Sequence, residues 1–303
     1  MNGIINIYKE ADYTSFDVVA KLRGILKEKK IGHTGTLDPQ ATGVLPVCIG
    51  NATKVCALLT DKDKEYEAVL ELGLSTDTQD LTGALLRDRS DLVHTLTEDQ
   101  VRAAVAGFVG DYDQVPPMYS AIKQNGKKLC DLARAGVEVE RKARRVHIYG
   151  IEITDLRLPL VSMRVQCSKG TYIRTLCDDI GERLGVGGAM KSLVRTRVSG
   201  FALAQAVTLA QVEAHRDAGT LHEILLPVDR VFDALGALHV QNRALLRLKN
   251  GNRLKRGDFT DAHLSETHEA DTQFRVYDSD GRFYGIYGYD GARRDYACVR
   301  LFV

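Results

Sequence analysis

The sequence predicts an α+β fold followed by a smaller, β-rich C-terminal region. Some segments alternate apolar and polar residues with the period of a strand, whereas others repeat apolar residues with the period of a helix. The two kinds do not alternate strictly along the chain, which favours α+β over α/β organisation. After about residue 235 short strand-like pieces dominate. We therefore expect two domains, residues 1–235 and 236–303.

The N-terminal quarter predicts strand, helix, loop, strand and helix in that order. The first strand spans Gly3 to Tyr8, and Thr14-Ser-Phe-Asp17 forms a capping box. The helix that it opens carries one apolar face, made of Val18, Val19, Leu22, Ile25 and Leu26. A short apolar strand follows from Val44 to Ile49, and we expect Asn51 to cap the next helix.

Four further elements are marked by their patterns. Lys64 to Gly73 alternates with period two and places Tyr66, Ala68, Leu70 and Leu72 on its covered face. Thr97-Glu-Asp-Gln100 is a second capping box, which predicts that a helix begins there. A strand from Val161 to Cys167 precedes a helix with Ile173, Leu176, Ile180 and Leu184 on one face, ending near Gly185.

The C-terminal region begins with a basic stretch and continues as β-structure. His239 to Gly257 is rich in Arg and Lys, and an acidic stretch extends from Asp258 to Asp271. Its two histidines, His263 and His268, favour a solvated loop over a zinc site, because the stretch offers neither Cys nor a third His. Strand pieces follow at 274–277, 283–287 and 296–302, the first two joined by a hairpin turn, Asp278 to Gly281.

Composition describes a soluble globular protein. Of 303 residues, 44% are hydrophobic and 27% charged, and the net charge of +1 means that any RNA affinity must come from local patches. The six cysteines never form Cys-x-x-Cys, which suits reduced thiols in the cytoplasm. An apolar run long enough to span a membrane is lacking, and the N-terminus does not have the pattern of a signal peptide.

One loop stands out chemically, from His33 to Gly43. It places a single carboxylate, Asp38, between Gly35 and Gly43, directly before Pro39. Glycine permits backbone angles closed to other residues, and proline fixes its own φ. Such a loop can hold an acid rigidly for catalysis, although an ordinary surface turn has the same composition.

The surrounding sequence resembles a known family. Gly32 to Gly50 closely resembles the signature of the bacterial TruB family, tRNA pseudouridine synthases that act on the T-loop. Ser168 to Thr175 is similar to that family's Lys-Gly-Thr-Tyr-Ile-Arg motif. The stretch from Val115 to Leu129 also closely resembles the family's sequence. The resemblance covers roughly residues 3 to 200. It implies a pseudouridine synthase core, with a mixed or antiparallel sheet flanked by helices, and the C-terminal region resembles the PUA RNA-binding domain.

The resemblance assigns catalytic roles to Asp38, Tyr66 and Arg174. Asp38 matches the family's catalytic Asp, and Tyr66 its active-site tyrosine, whose ring offers a platform for an unstacked uracil. Arg174 would form an ion pair with Asp38 and keep it ionised; pairing with Asp178, four residues later, is the alternative. Leu193 matches a leucine beneath the base. Without the resemblance, Tyr66 and Leu193 would be taken for core residues.

The remaining matched residues would contact RNA. His33 matches the residue thought to fill the space left by a flipped base, and Asp80 an acid that contacts the flipped nucleotides. Loop solvation is the alternative for both. The expected RNA-binding lysines are Lys9, Lys54, Lys123, Lys127 and Lys169.

Two departures from the family pattern are visible. Lys9-Glu-Ala-Asp12 stands where the family usually has Lys-Pro-x-Gly, which leaves the shape of that loop open. Leu193-Val-Arg195 stands where Leu-Arg-Arg is usual, which removes one positive charge near the RNA.

Together these features predict a cytoplasmic, monomeric tRNA pseudouridine synthase that acts at position 55 with no metal, cofactor or protein partner. Whether Asp38 adds to the base, adds to the sugar or assists elimination stays open. A non-enzymatic RNA-binding or RNA-folding protein is the main alternative. An Asp-nucleophile hydrolase is a third, but the expected second carboxylate or metal site is missing from the pattern.

Overall fold

The structure is a computed structural model and describes residues 1–260 and 269–303. Its helices are α1 (Ser15–Leu26), α2 (Cys56–Thr60), α3 (Glu98–Ala106), α4 (Leu129–Arg134), α5 (Ile173–Arg183), α6 (Leu209–Asp217) and α7 (Leu245–Lys249). Its strands are β1 (Gly3–Lys9), β2 (Ile31–His33), β3 (Thr42–Ile49), β4 (Lys64–Leu72), β5 (Leu74–Thr76), β6 (Leu85–Asp88), β7 (Gly110–Gln114), β8 (Lys123–Gln124), β9 (Lys127–Lys128), β10 (Arg144–Arg157), β11 (Leu160–Cys167), β12 (Gly188–Val198), β13 (Phe201–Ala202), β14 (Gly236–His239), β15 (Leu254–Lys255), β16 (Gln273–Tyr277), β17 (Phe283–Asp290) and β18 (Asp295–Leu301). Within these ranges no helix is both long and apolar enough to cross a bilayer.

A nine-stranded mixed sheet forms the first layer of the molecule. Its main path runs β1-β3-β12-β4-β11-β10-β7, with β2 added to β3 and β13 to β12. Most neighbours are antiparallel, but β12 and β3 run parallel. The predicted α+β class with a mixed sheet is confirmed.

The central strand β4 follows the predicted alternation. Tyr66, Ala68, Leu70 and Leu72 are buried, in one core with α5 and the inward side chains of β11. The inward residues predicted for β11 are also buried, as are Ile173, Leu176 and Ile180 of α5. The helix ends at Arg183, close to the predicted stop, and Leu184 just after it is partly buried. Helix α5 therefore lies against the middle of the sheet, with its N-terminus near the loop that carries Asp38.

Helix starts follow local capping signals in two of the three predicted places. Thr14 and Asp17 form the capping box of α1, and Thr97 and Gln100 that of α3. The prediction for Asn51 is wrong. Asn51 lies inside a 3₁₀ turn, Gly50–Val55, where its side-chain oxygen accepts a hydrogen bond from Lys30 Nζ at 3.1 Å, and α2 begins only at Cys56.

The C-terminal region forms a second sheet of five strands in the order β14-β16-β17-β18-β15. The predicted hairpin turn is present: Asp278 Oδ1 accepts hydrogen bonds from the backbone N–H groups of Asp280 and Arg282. Two arginines of the predicted basic stretch are paired, Arg247 with Asp258 and Arg253 with Asp290 and Asp295. His263 and His268 lie outside the described residues.

The second sheet packs directly against the first. Ile286 and Phe302 belong to one buried apolar cluster with Ile4, Val44 and Val228. Two hydrogen bonds of 2.6 Å reinforce the contact, from Lys54 Nζ to the Leu301 carbonyl and from Arg300 Nη1 to the Lys54 carbonyl. The C-terminal sheet thus shares a buried apolar cluster with the large sheet, besides its own core.

Candidate active site

A cleft of about 1150 Å³ opens beside the middle of the large sheet. Its wall combines the Asp38 loop, the N-terminal end of α5, and side chains from β4 and β12. The fold brings seven of the predicted site residues together here, since the cleft is lined by Asp38, Tyr66, Arg174, His33, Asp80, Leu193 and Lys169.

The Asp38 loop depends on a glycine and a close backbone approach. Gly43 has φ +105, and a Cβ there would lie 2.3 Å from the carbonyl oxygen of Arg195. The Ala41 N–H donates to the Asp38 carbonyl at 3.1 Å, and the Leu37 N–H donates to Ser15 Oγ at 2.9 Å. These contacts fix the loop on both sides of the carboxylate.

Asp38 and Arg174 form a two-pronged ion pair. Arg174 Nε lies 2.9 Å from Asp38 Oδ2, and Arg174 Nη2 donates to Asp38 Oδ1 at 3.0 Å. The arginine side chain is only 5% exposed, while that of Asp38 keeps 35% of its surface open. The carboxylate therefore has one edge held by the guanidinium and another facing the cleft.

Backbone carbonyls occupy the other arginine donors. Arg174 Nη1 donates to the Thr78 carbonyl at 3.0 Å, and Nη2 to the Tyr119 carbonyl at 2.8 Å. The alternative partner, Asp178, instead accepts from Gln79 Nε2 at 2.8 Å. The geometry thus selects the ion pair with Asp38.

Asp80 stands behind the ion pair with a fixed orientation. Its Oδ1 accepts from Thr78 Oγ1 at 2.8 Å and from the backbone N–H and Oγ1 of Thr82 at 3.0 and 2.6 Å. Its Oδ2 lies 3.9 Å from Arg174 Nε. Arg174 is therefore flanked by two carboxylates.

The charge state of Asp38 reflects opposing influences. Burial raises the pKa of the Asp38 carboxyl above its ordinary value, and the charge of Asp80 adds to the rise. The guanidinium of Arg174 and the ammonium of Lys9 lower this pKa. Arg174 thus favours the ionised form in a site that otherwise disfavours charge.

Tyr66 and Leu193 form the buried side of the cleft. They lie on neighbouring strands, with Tyr66 opposite Arg195 and Leu193 opposite Ala68. Burial raises the pKa of Tyr66 to about 12, although the nearby guanidinium of Arg195 lowers it. The phenol is therefore neutral at physiological pH and can take part in hydrogen bonds as an O–H group.

Arg195 is a site residue that the sequence interpretation missed. Its fully buried guanidinium donates to the carbonyls of Val44 at 2.8 Å, Gly35 at 3.3 Å and Thr36 at 3.4 Å. It thereby ties β12 to both ends of the Asp38 loop. The available signal was its position two residues after inward-facing Leu193, which puts both on one face of a strand.

His33 ends β2 at the edge of the cleft. Burial and the charge of Arg195 lower the pKa of His33, so its imidazole is neutral at pH 7. Its Nδ1 atom is buried and has no hydrogen-bond partner among the residues that the structure describes.

Comparison with known proteins decides the family. A model of the TruB family pseudouridylate synthase N-terminal domain matches residues 23–173, and one of the tRNA pseudouridylate synthase B C-terminal domain matches residues 174–233. A protein of Lachnoclostridium phytofermentans named tRNA pseudouridine synthase B is 54% identical over the whole of both chains. The chain belongs to the TruB family.

Further relatives agree. A tRNA pseudouridine synthase B of Alkaliphilus oremlandii is 50% identical over 84% of this chain and 83% of its own, and one of Clostridium tetani is 41% identical over 94% and 95%. Among solved structures, chains from an H/ACA RNP bound to a substrate RNA and from a Cbf5-Nop10-Gar1 complex share the fold. Each matches with a TM-score of 0.70 over 99% of this chain and 85% of its own, at 22% and 25% identity.

The first departure from the TruB pattern is accommodated in the structure. Asp12 has φ +67, a left-handed conformation that the usual glycine would adopt without strain and that Asp tolerates better than most residues. Its backbone N–H donates to the Pro39 carbonyl at 3.0 Å, and its carboxylate accepts from Gln40 Nε2 at 2.8 Å. The β1–α1 loop is therefore tied to the Asp38 loop.

Lys9 has no exposed surface with which to contact RNA, contrary to expectation. Its ammonium donates to the carbonyls of Glu10 at 3.0 Å, Pro39 at 2.9 Å and Ala41 at 2.6 Å. Burial lowers the pKa of Lys9 to about 8. Its place in this TruB-family fold is to support the Asp38 loop from behind.

The other expected lysines are spread over the surface. Lys169 lines the cleft and pairs with Asp61 at 3.1 Å. Lys123 and Lys127 are exposed on the small ribbon β8–β9, and Lys54 bonds to the C-terminal sheet. The cationic rim of the cleft also includes Lys128, Arg134, Arg144 and Arg145.

Proposed function

We propose that this protein isomerises uridine to pseudouridine at position 55 in the T-loop of tRNA. The observation that carries the proposal is the ion pair between Asp38 and Arg174, held beside Tyr66 in a cleft with a cationic rim. Membership of the TruB family and relatives named tRNA pseudouridine synthase B support the same activity.

The reaction breaks the bond from ribose C1′ to uracil N1, turns the base and rejoins it through C5. It is an isomerisation, so no electron donor or group donor has to be supplied. The group that it requires is a carboxylate close to both sugar and base, and Asp38 offers the open edge of its carboxylate to the cleft. In our proposal the ionised form acts, either by direct addition or by assisting elimination.

The remaining cleft residues receive the base in this proposal. Tyr66 supplies an aromatic face and a neutral hydroxyl, and Leu193 an apolar contact beneath the ring. Asp80, oriented by Thr78 and Thr82, contacts the flipped nucleotides. Neutral His33 fills the space that the base leaves in the T-loop, because an uncharged ring stacks there at a lower desolvation cost than a cation.

Phosphate contacts are assigned to the rim of the cleft and to exposed lysines. Lys169, Lys123 and Lys127 keep the RNA-binding role expected from the sequence, joined by the four cations of the rim. Lys54 would act near the C-terminal sheet, where it bonds to Leu301. Such contacts make affinity dependent on salt.

In our proposal residues 236–303 form a PUA-like RNA-binding domain and residues 1–235 the catalytic domain. The five-stranded sheet β14–β18 supports this division. We further propose that the protein works as a monomer in the cytoplasm, where its tRNA substrate is found.

The alternative, a binding protein without turnover, is less well supported. A protein that only binds RNA gains nothing from burying an arginine against a carboxylate, since charge burial is costly. Arg174 is almost fully buried, and the Asp38 edge that it leaves open faces the cleft.

The test uses an unmodified tRNA transcript and a second transcript with cytidine in place of the T-loop uridine. After incubation with the protein, carbodiimide labelling and reverse transcription map pseudouridine. We expect one stop, at position 55 of the first transcript. Stops at other uridines would contradict the assigned site, and binding of both transcripts without any stop would support the binding protein.

A further inference from the structure

Gln79 connects two parts of the site from behind the cleft. Its neighbours in sequence, Thr78 and Asp80, line the catalytic cleft, whereas Gln79 lines a second cavity of about 430 Å³. Its backbone is left-handed, with φ +64, a conformation that costs free energy for a residue with a side chain. A glycine would avoid that cost, so the side chain has contacts that offset it.

The side-chain amide of Gln79 joins the first turns of α5. Its Oε1 accepts from Thr175 Oγ1 at 2.7 Å, and its Nε2 donates to Asp178 Oδ2 at 2.8 Å. Thr175 directly follows Arg174, and Asp178 lies one turn further along the helix. One amide therefore holds the helix at two points, one residue and four residues after Arg174.

The backbone of the same residue is attached to the sheet. The Gln79 carbonyl accepts from the Met190 N–H at 3.0 Å, and the Leu81 N–H donates to the Met190 carbonyl at 3.1 Å. Segment 78–80 is thus docked on β12, which also carries Leu193 and Arg195. Gln79 therefore contacts β12 through its backbone and α5 through its side chain.

We propose that Gln79 is a positioning residue for the isomerisation, because it fixes α5 relative to segment 78–80. In this position the Thr78 carbonyl and Asp80 contact the Arg174 guanidinium. The guanidinium in turn orients Asp38. This inference rests on the proposed function. A carboxamide is required because the Thr175 hydroxyl needs an acceptor and the Asp178 carboxylate a donor. Gln79 touches neither Asp38 nor the cleft surface that receives the base.

The first test compares Gln79→Ala and Gln79→Gly with the wild type. Both variants should lose about ten-fold or more in single-turnover rate, because small misplacements of catalytic groups are costly, while tRNA affinity stays within about two-fold. Gln211→Ala is the matched control: its amide closes the capping box of α6, and the rate should be unchanged. Recovery of the rate in Gln79→Gly would overturn the role of the amide, since glycine relieves only the backbone.

Gln79→Glu gives a readout that a loss of folding would not produce. The groups that face Asp178 are Asp179 and Glu182 on α5 and Arg87 on β6, and burial raises the pKa of Asp178 to about 6. A glutamate at position 79 would repel Asp178 until the two carboxyls share a proton. The rate of this variant relative to the wild type should therefore rise as the pH falls from about 8 to about 6; a constant ratio would contradict the proposal.

A double-mutant cycle completes the test. Thr175→Val removes one partner of the amide with little change of shape, so its effect on the rate should be less than additive with that of Gln79→Ala. Additive effects would contradict coupling through Gln79. The wild type is measured alongside: if it has no turnover the proposed function fails, whereas normal wild-type turnover with unaffected variants refutes only the role of Gln79.

Discussion

At the scale of single residues, the burial of Asp38 and the cation beside it act in opposite directions on the pKa of its carboxyl group. Burial and Asp80 raise the pKa of Asp38, and Arg174 opposes them through two hydrogen bonds. Asp38, Tyr66 and Arg174 could be predicted because each lies in a motif shared with TruB enzymes. The role of Lys9 could not, because it depends on contacts about 30 residues away that bury its ammonium.

Arg174→Lys tests the ion pair. Lysine places a point charge near Asp38 but cannot reproduce the planar fork or satisfy both carbonyls. The single-turnover rate should fall about 10²-fold or more, as for loss of a preorganised electrostatic contact. The control is Arg183→Lys, in the last turn of α5, where the cation lies over the Phe108 ring. Equal losses of rate and tRNA affinity in Arg174→Lys would identify Arg174 as an RNA contact instead.

The same variant makes a prediction about pH. Activity that needs ionised Asp38 is lost as the pH falls through its pKa, which is already raised in the wild type. A weaker contact with residue 174 offsets less of the rise in pKa that burial causes, so the pKa of Asp38 rises further. The acid limb of the rate profile therefore moves to higher pH. A shift to lower pH in Arg174→Lys would contradict our assignment of the charges.

At the scale of elements, local signals were reliable where partners are close in sequence. The capping boxes of α1 and α3 join residues three apart and formed as predicted. Arg195 was missed because it meets Gly35 and Val44 across about 150 residues, a relation that exists only once β12 lies beside β3. Asn51 has a good capping side chain, but its tertiary partner Lys30 takes the oxygen.

Gly43→Ala tests the loop that carries Asp38. The new Cβ would lie 2.3 Å from the Arg195 carbonyl oxygen at a left-handed φ, so the loop must move and stability should fall by about 2 kcal/mol or more. Gly24→Ala is the control, because there a Cβ extends into open space within α1 and should stabilise by about 0.5–1 kcal/mol. Chemical denaturation measures both; equal effects would contradict the close approach.

At the scale of the whole molecule, each sheet has its own core, and one further buried apolar cluster joins the two sheets. Apolar patterns predicted both sheets but not their contact, since buried residues such as Ile4 and Val44 fit any apolar partner. Because of this contact, a truncation after residue 235 does not test the C-terminal sheet alone. Removing the C-terminal sheet would expose Ile4, Val44 and Val228, so such a truncation would damage the catalytic part as well as RNA binding.

Phe302→Ala tests the apolar cluster shared by the two sheets, by calorimetry. Phe302 is 5% exposed, and its truncation should lower stability by about 3–5 kcal/mol within one cooperative transition for the whole chain. Val299→Ala, at a residue 53% exposed in the preceding strand β18, should change stability by less than about 0.5 kcal/mol. Two separate transitions, with only one shifted by Phe302→Ala, would show that the sheets unfold independently.

The most direct measurement is release of tritium from tRNA labelled at uracil C5, with wild type and Asp38→Asn compared under single-turnover conditions. Asparagine keeps the shape of Asp38 but removes its charge, so the variant should bind tRNA and release no tritium. The wild type should release one equivalent, from the T-loop uridine. Release by Asp38→Asn at a comparable rate would contradict a catalytic role for the carboxylate that Arg174 holds in the cleft.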